Sequence, residues 1–249
     1  MLNSTCALVL ALALQTAAPQ TPATAPPPDE TTDRPIQQFF QNLGRDIVAL
    51  PSRDTAILIG SGVVGGLVFH PVDDNLREWA DGKEPSGYTP LGRRLGDGWV
   101  QGGAALGTYG IGLFSDHPMI THIGSDLIRA QALNAVLTRG LKFAAQRRRP
   151  SGGHESLPSG HASASFASAA VLDSHFGPRV GIPAYALAGF IGWTRVRDNS
   201  HWFTDVIVGG AIGAAVGRTV TAGHREREWT IVPVASANEV AIYFMRIGR

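Results

Sequence analysis

The chain has 249 residues, with 21 Lys and Arg against 20 Asp and Glu, for a formal net charge of +1. That length fits one domain with a sizeable core, and the near-neutral balance excludes the basic surface that a nucleic-acid binder needs. The chain has one cysteine, Cys6, so no disulfide framework holds it together.

Cys6 lies in the apolar stretch 6–14, which has the length and composition of a secretory signal core. The flanks are imperfect. No Lys or Arg precedes the stretch, and the small-residue site ending at Ala18 is followed by Pro19. Residues 1–18 are expected to be a signal peptide and the chain to be exported. Residues 19–35 are rich in Pro, Thr and Ala with no apolar period, and read as a linker. A helical domain is expected over 36–223, followed by an extended tail or hairpin over 224–249.

Six apolar, helix-length segments follow in order: 55–69, 100–114, 119–148, 160–176, 182–195 and 202–220. His70-Pro71, His117-Pro118, Arg149-Pro150 and Gly177-Pro178 punctuate the joins. After Pro71, Asp73 and Asp74 read as helix-capping residues. The pattern predicts a mainly α fold, a compact bundle of about six helices. Gly and Ala are dense in these segments, which lets helices approach closely in water or in lipid.

Uninterrupted apolar runs reach only about 12 to 17 residues, short of the roughly 20 needed to span a bilayer. The 119–148 segment also carries His122, Asp126, Arg129, Gln131, Asn134 and Arg139, too polar for a lipid-facing span. The favoured reading is an exported, periplasmic bundle, soluble or associated with a membrane surface. An integral six-span protein is the alternative. In the tail, 229–234 and 240–245 read as paired extended segments, with Pro233 confining the first to an edge.

Three blocks carry the chemistry. Lys142 and Arg149-Pro150 close the long helix pattern, and their spacing is two helical turns. Pro150 is expected to end that helix and display Arg149 at its end. A guanidinium can grip phosphate with two parallel hydrogen bonds, and lysine adds a mobile point charge. Arg147 and Arg148 beside it read as a solvated helix end. Pro158-Ser159-Gly160-His161 follows a polar loop and opens a small-residue helix. Free N–H groups and the helix dipole there attract anions. Ser159 can cap that helix or donate to a phosphate oxygen. The third block runs from Arg195 to His201 and Asp205, with Asp198-Asn199-Ser200 as the turn between two helices. His201 and Asp205 lie four apart, on one helical face, so the carboxylate can fix one imidazole nitrogen and leave the other as a lone pair.

Taken together, K-x6-R-P, P-S-G-H and R-x5-H-x3-D resemble the signature of the type 2 phosphatidic acid phosphatase and haloperoxidase superfamily, over roughly residues 119–219. Thr194 stands where that signature usually has Ser. The resemblance implies that His201 is the nucleophile, that Asp205 orients it and that His161 is the general acid. It also implies phosphate binding by Lys142, Arg149, Ser159, Gly160 and Arg195. The function so implied is a phosphatase working through a phosphohistidine, with no metal and no cofactor. Its partner would be a phosphorylated small molecule, a lipid phosphate or a polyprenyl diphosphate. A vanadate-dependent haloperoxidase and a catalytically inactive oxyanion- or lipid-binding module are the rival readings. Neither His122 nor His154 has a partner at metal-ligand spacing, and no zinc or P-loop pattern is present.

Overall fold

The computed structural model describes residues 35–81, 87–222, 229–235 and 240–246. The expected signal peptide and nearly all of the expected linker lie outside the described residues. Among the described residues nine helices run in order: α1 Pro35–Ala49, α2 Arg53–Phe69, α3 Val72–Ala80, α4 Thr89–Leu95, α5 Gly98–Phe114, α6 Pro118–Ala145, α7 Gly160–Phe176, α8 Pro178–Arg197 and α9 Phe203–Val220. The mainly helical class matches expectation; the count of about six does not. The six apolar segments became α2 and α5 to α9. The extra three, α1, α3 and α4, are shorter or amphipathic and lack a long apolar run. Two extended segments, β1 Trp229–Ala235 and β2 Val240–Arg246, pair antiparallel with Trp229 opposite Arg246.

The helix α9 is the axis of the bundle and packs against α7, α2, α6 and α8. Its contact with α7 is made by a glycine stripe. A Cβ on Gly209 would lie 2.5 Å from the Ser159 carbonyl oxygen, and Cβ atoms on Gly213 and Gly217 would collide with the Ser163 and Ala167 backbone. Three glycines at four-residue spacing therefore let two helix backbones touch. On the α2 side, Gly62 and Gly66 face Ala211 and Val208 in the same way. The core proper is filled by Ala105, Ile123, Leu127, Ala130, Leu133, Val171, Ile212, Val216 and Val220.

The outside is unusually apolar. On α2, Ile57, Val64, Leu67 and Val68 face outward; on α5, Trp99 is 91% exposed and Phe114 95% exposed. Among the described residues only Phe203–Val220 is by itself long and apolar enough to cross a membrane, and about half of it is buried among other helices. Gln38–Ala49 and Arg53–Phe69 reach that length only as a pair, bent by 62°.

Candidate active site

The eight residues singled out from the three blocks converge at one end of the bundle. There α6 and α8 end and α7 and α9 begin. Lys142 is in the last turn of α6. The helix stops at Ala145, because Gln146 turns into the left-handed region at φ 45°. This corrects the expected helix over 119–148: Arg149 is in a loop and shares no helical face with Lys142. The loop nonetheless returns it to the site. The Arg149 N–H donates to the Gly153 carbonyl (2.6 Å), and its Nε donates to the His154 carbonyl (3.0 Å). Lys142 donates to the Glu155 carbonyl. Burial, then the Arg149 charge, pulls the Lys142 ammonium down to about 8.

Ser159 caps α7, its hydroxyl accepting from the Ala162 N–H at 3.5 Å, and it is fully buried. The Ser159 N–H donates to the Asp205 carbonyl (3.0 Å), which locks the start of α7 onto the first turn of α9. Gly160 opens the approach: a Cβ there would stand 4.0 Å from Cε of Lys142. His161 follows, with its Nε2 buried and unpartnered. Burial lowers its pKa to about 4, helped by the charges of Arg195 and His201.

Arg195 is in the last turn of α8, largely buried, and donates to Asp198 at 3.2 Å. Its Nε has no protein partner. Thr194 turns its hydroxyl to the Ile191 carbonyl (2.7 Å) and packs against Gly92 of α4. Its place is therefore structural, and the exchange of Ser for Thr leaves the pocket lining alone. The turn after α8 holds His201 through its N–H, which donates to the Arg195 carbonyl (3.2 Å).

His201 is 3% exposed, and its Nδ1 faces Oδ2 of Asp205 at 3.7 Å. That separation is Coulombic contact rather than a hydrogen bond. Burial lowers the His201 pKa; Asp205 pulls it up, while Lys142 and Arg149 push it down again. Asp205 itself is fully buried. Burial alone would raise its pKa, but His201, Ser156, Arg147 and the Trp202 N–H hold the carboxylate ionised and the net shift is downward.

Two residues in this network were misassigned from sequence. Arg147, read as solvated, donates to Asp205 Oδ1 (2.7 Å), Thr204 Oγ1 (2.8 Å) and Asp73 Oδ2 (2.9 Å). Its guanidinium also lies 5.4 Å over the Trp202 ring. Asp73, read as a cap of its own helix, is buried and instead accepts from the Thr204 N–H (3.0 Å) and hydroxyl (2.6 Å) at the start of α9. Ser156, not singled out at all, donates to Asp205 Oδ2. The Asp-Asp pair after Pro71 and the Arg run were the visible traces of this second shell. Arg93 of α4 also acts on the site: its backbone works against the fall in the His161 pKa, and its charge lowers that of Arg195.

The result is a pocket with Lys142, Arg149 and Arg195 as cations, a helix N-terminus at Gly160 and two imidazoles. Such a pocket can hold a tetrahedral oxyanion and present a nitrogen lone pair to it. A separate apolar pocket of about 310 Å³ is lined by Phe166, Trp193, Phe203, Val206 and Ile207. Phe203 and Val206 flank Asp205 in the first turn of α9.

A different donor set occurs at the other end of α6. His122, which the sequence left without a metal-ligand partner, stands with Asp126 and His175. This corrects that reading: Asp126 is one turn along, and the third donor comes from α7.

Comparison with known proteins bears on the same segment. The PAP2 superfamily matches residues 124–229. Lipid A 1-phosphatase of Porphyromonas gingivalis is 34% identical over 97 residues, which is 37% of this chain and 22% of that protein's length. Among solved structures, Aquifex aeolicus LpxE aligns with a TM-score of 0.49 at 23% identity, covering 59% of this chain and 92% of that one. A transmembrane PAP2 type phosphatidylglycerolphosphate phosphatase from Bacillus subtilis aligns with a TM-score of 0.34 at 19% identity, covering 76% and 94%.

Proposed function

Through residues 124–229 the chain belongs to the PAP2 superfamily, and from that premise we propose that it is a membrane-associated phosphatase that hydrolyses a lipid phosphate through a phosphohistidine. The observation that carries this reading is the pairing of buried His201 with the fully buried Asp205, whose pKa is held down, inside a cage of cations.

Nδ1 of His201 faces Asp205, so Nε2 is the free nucleophilic atom. Its lone pair forms the N–P bond as the P–O bond to the leaving alcohol breaks. His161, protonated once the bound phosphate dianion offsets the neighbouring cations, gives that oxygen its proton. A water then attacks phosphorus, the P–N bond breaks and neutral His161 takes the water's proton, releasing inorganic phosphate. Lys142, Arg149, Arg195, Ser159 and the Gly160 N–H stabilise the charge that develops on the phosphoryl oxygens. The chain thus brings its own positive charge to the phosphoryl step.

Lipid as the substrate class rests on three supports. The bundle carries an apolar pocket walled by α7, α8 and α9. The relative of known activity is a lipid A 1-phosphatase. The outward faces of α2 and α5 are apolar enough to lie against lipid, whereas a soluble monomer rarely exposes patches of that kind. Export to the periplasm follows from the signal-like stretch at the start of the chain.

The test is turnover of purified protein on a panel: a lipid phosphate, a polyprenyl diphosphate and a soluble monoester, each with and without EDTA. The lipid substrates should be preferred, and a chelator should leave the rate intact. An acid-labile, base-stable phosphoenzyme should be trapped in the wild type. Absence of turnover on all three, or activity restored only by a divalent ion, would overturn the reading.

A further inference from the structure

A second cluster of titratable side chains lies at the far end of α6, which the phosphoryl chemistry does not use. His122 and Asp126 are one turn apart near the start of α6, and His175 comes from the last turn of α7. Lys142 is twenty residues further along α6 than His122, about 30 Å at the helical rise. Nε2 of His175 stands 2.9 Å, and Nε2 of His122 3.8 Å, from the same atom, Oδ2 of Asp126. All three donor atoms lie within 4.8 Å of one another. The two imidazoles meet edge to face with centroids 5.4 Å apart.

We propose that His122, Asp126 and His175 bind a divalent transition-metal ion of the zinc class, which ties α7 to α6 at the end of the bundle remote from the phosphate pocket. The donor chemistry fits, since imidazole and carboxylate together suit zinc, cobalt and nickel. So does the spacing. A tetrahedral ion with bonds of about 2.0 to 2.1 Å holds its ligand atoms about 3.3 Å apart. The observed 2.9 and 3.8 Å bracket that value.

The surroundings fit as well. The other oxygen of Asp126 accepts from Arg129, whose second nitrogen donates to Asp46 of α1. An outer partner of this kind fixes a ligating carboxylate in place. Access is asymmetric. Asp126 and His175 are buried, while the His122 side chain is 33% exposed and leaves an open side for a water ligand.

The experiment uses untagged, full-length protein stripped with chelator and titrated with zinc, then with cobalt. One equivalent should survive gel filtration, cobalt should show the visible bands of a tetrahedral site, and the melting temperature should rise. His122→Asn and His175→Asn should each weaken metal binding at least about 100-fold, beyond the loss expected for an outer-shell partner. His161→Asn should keep the equivalent, which separates this site from the phosphate pocket. His122→Asn should also keep the phosphatase rate. If His175→Asn fails to fold, the half-exposed His122 still decides the matter. The proposal is overturned if wild type binds no stoichiometric ion near neutral pH, or if His122→Asn retains it at full affinity. The cluster is then a proton-linked ion-pair network only.

Discussion

The two ends of α6 gather different side chains. At its C-terminal end Lys142, Arg147, Arg149 and Arg195 line the site, with Asp73, Asp198 and Asp205 among the carboxylates they face. At its N-terminal end Asp46 and Asp126 both pair with Arg129, and His122 and His175 face Asp126. The first end also leaves Nε2 of His161, Nδ1 of His201 and Nε of Arg195 buried with no protein partner. An unpaired buried donor or acceptor costs about 1 to 3 kcal/mol, and a fold tolerates several together where a ligand restores the bonds. Cations with open donors make an anion receptor. A carboxylate facing two imidazoles makes a cation receptor. The same pair of helices, α6 and α7, joins both.

The strongest way to break this contrast is to remove the nucleophile. His201→Ala should lower turnover by at least about 10³-fold and abolish phosphoenzyme, because no neighbour offers a positioned imidazole. The melting temperature should change little by comparison, and zinc binding at the other end should not change. A variant with wild-type-like turnover removes His201 from the chemistry.

Arg147 tests whether the second layer matters. Arg147→Ala leaves the carboxylates of Asp73 and Asp205 near each other with no cation between them. Turnover should fall about 10- to 100-fold, the range for lost second-shell partners. Because Arg147 faces the carboxylates rather than the phosphate, the loss should fall in kcat with KM nearly unchanged. Arg147→Lys should recover part of it. A loss confined to KM would instead make Arg147 a substrate contact.

His161→Asn sharpens the acid assignment. General acid catalysis contributes about 10²- to 10⁴-fold, but only where the leaving oxygen needs a proton. Turnover of a lipid alkyl phosphate should fall by about that factor, while a nitrophenyl phosphate should lose far less. Equal losses on both would leave His161 as a phosphate ligand only.

What the sequence revealed and what it hid follow from the range of each interaction. Phosphate binding and nucleophilic attack fix residue types at short spacing, so Ser159, Gly160, His161, His201 and Asp205 could be read within single blocks. Arg147 and Asp73 are 74 residues apart, and nothing local in either segment points to the other. His175 is 49 residues from Asp126 and carries no spacing signal. The expected α6 ran to 148 because Gln146, Arg147 and Arg148 are good helix formers and no breaker precedes Pro150, while a single left-handed residue, Gln146, ends the helix. The short helices α1, α3 and α4 were missed as bundle members because their apolar runs are brief; α3 and α4 nevertheless deliver Asp73 and Arg93 to the site.

The smallest expected effect is on stability against pH, and it belongs to the phosphate end. His161 and His201 have folded pKa values below the ordinary histidine value, His161 at about 4. The unfolded chain therefore binds more protons than the folded one between the folded pKa and about 6.5. Stability is full above that range and falls as pH drops through it. Asp205, also lowered, adds to the loss at still lower pH, as the unfolded carboxylates protonate first. The melting temperature should thus decline from pH 7 to pH 5 and fall faster below. His161→Asn removes one of the two histidine contributions, so its decline between pH 7 and pH 5 should be shallower than that of wild type. Inorganic phosphate should flatten the wild-type curve, since a bound anion favours both imidazolium forms. Melting curves of the two proteins at matched ionic strength decide it. An equal or steeper decline in His161→Asn would mean that His161 does not hold a depressed pKa in the folded protein.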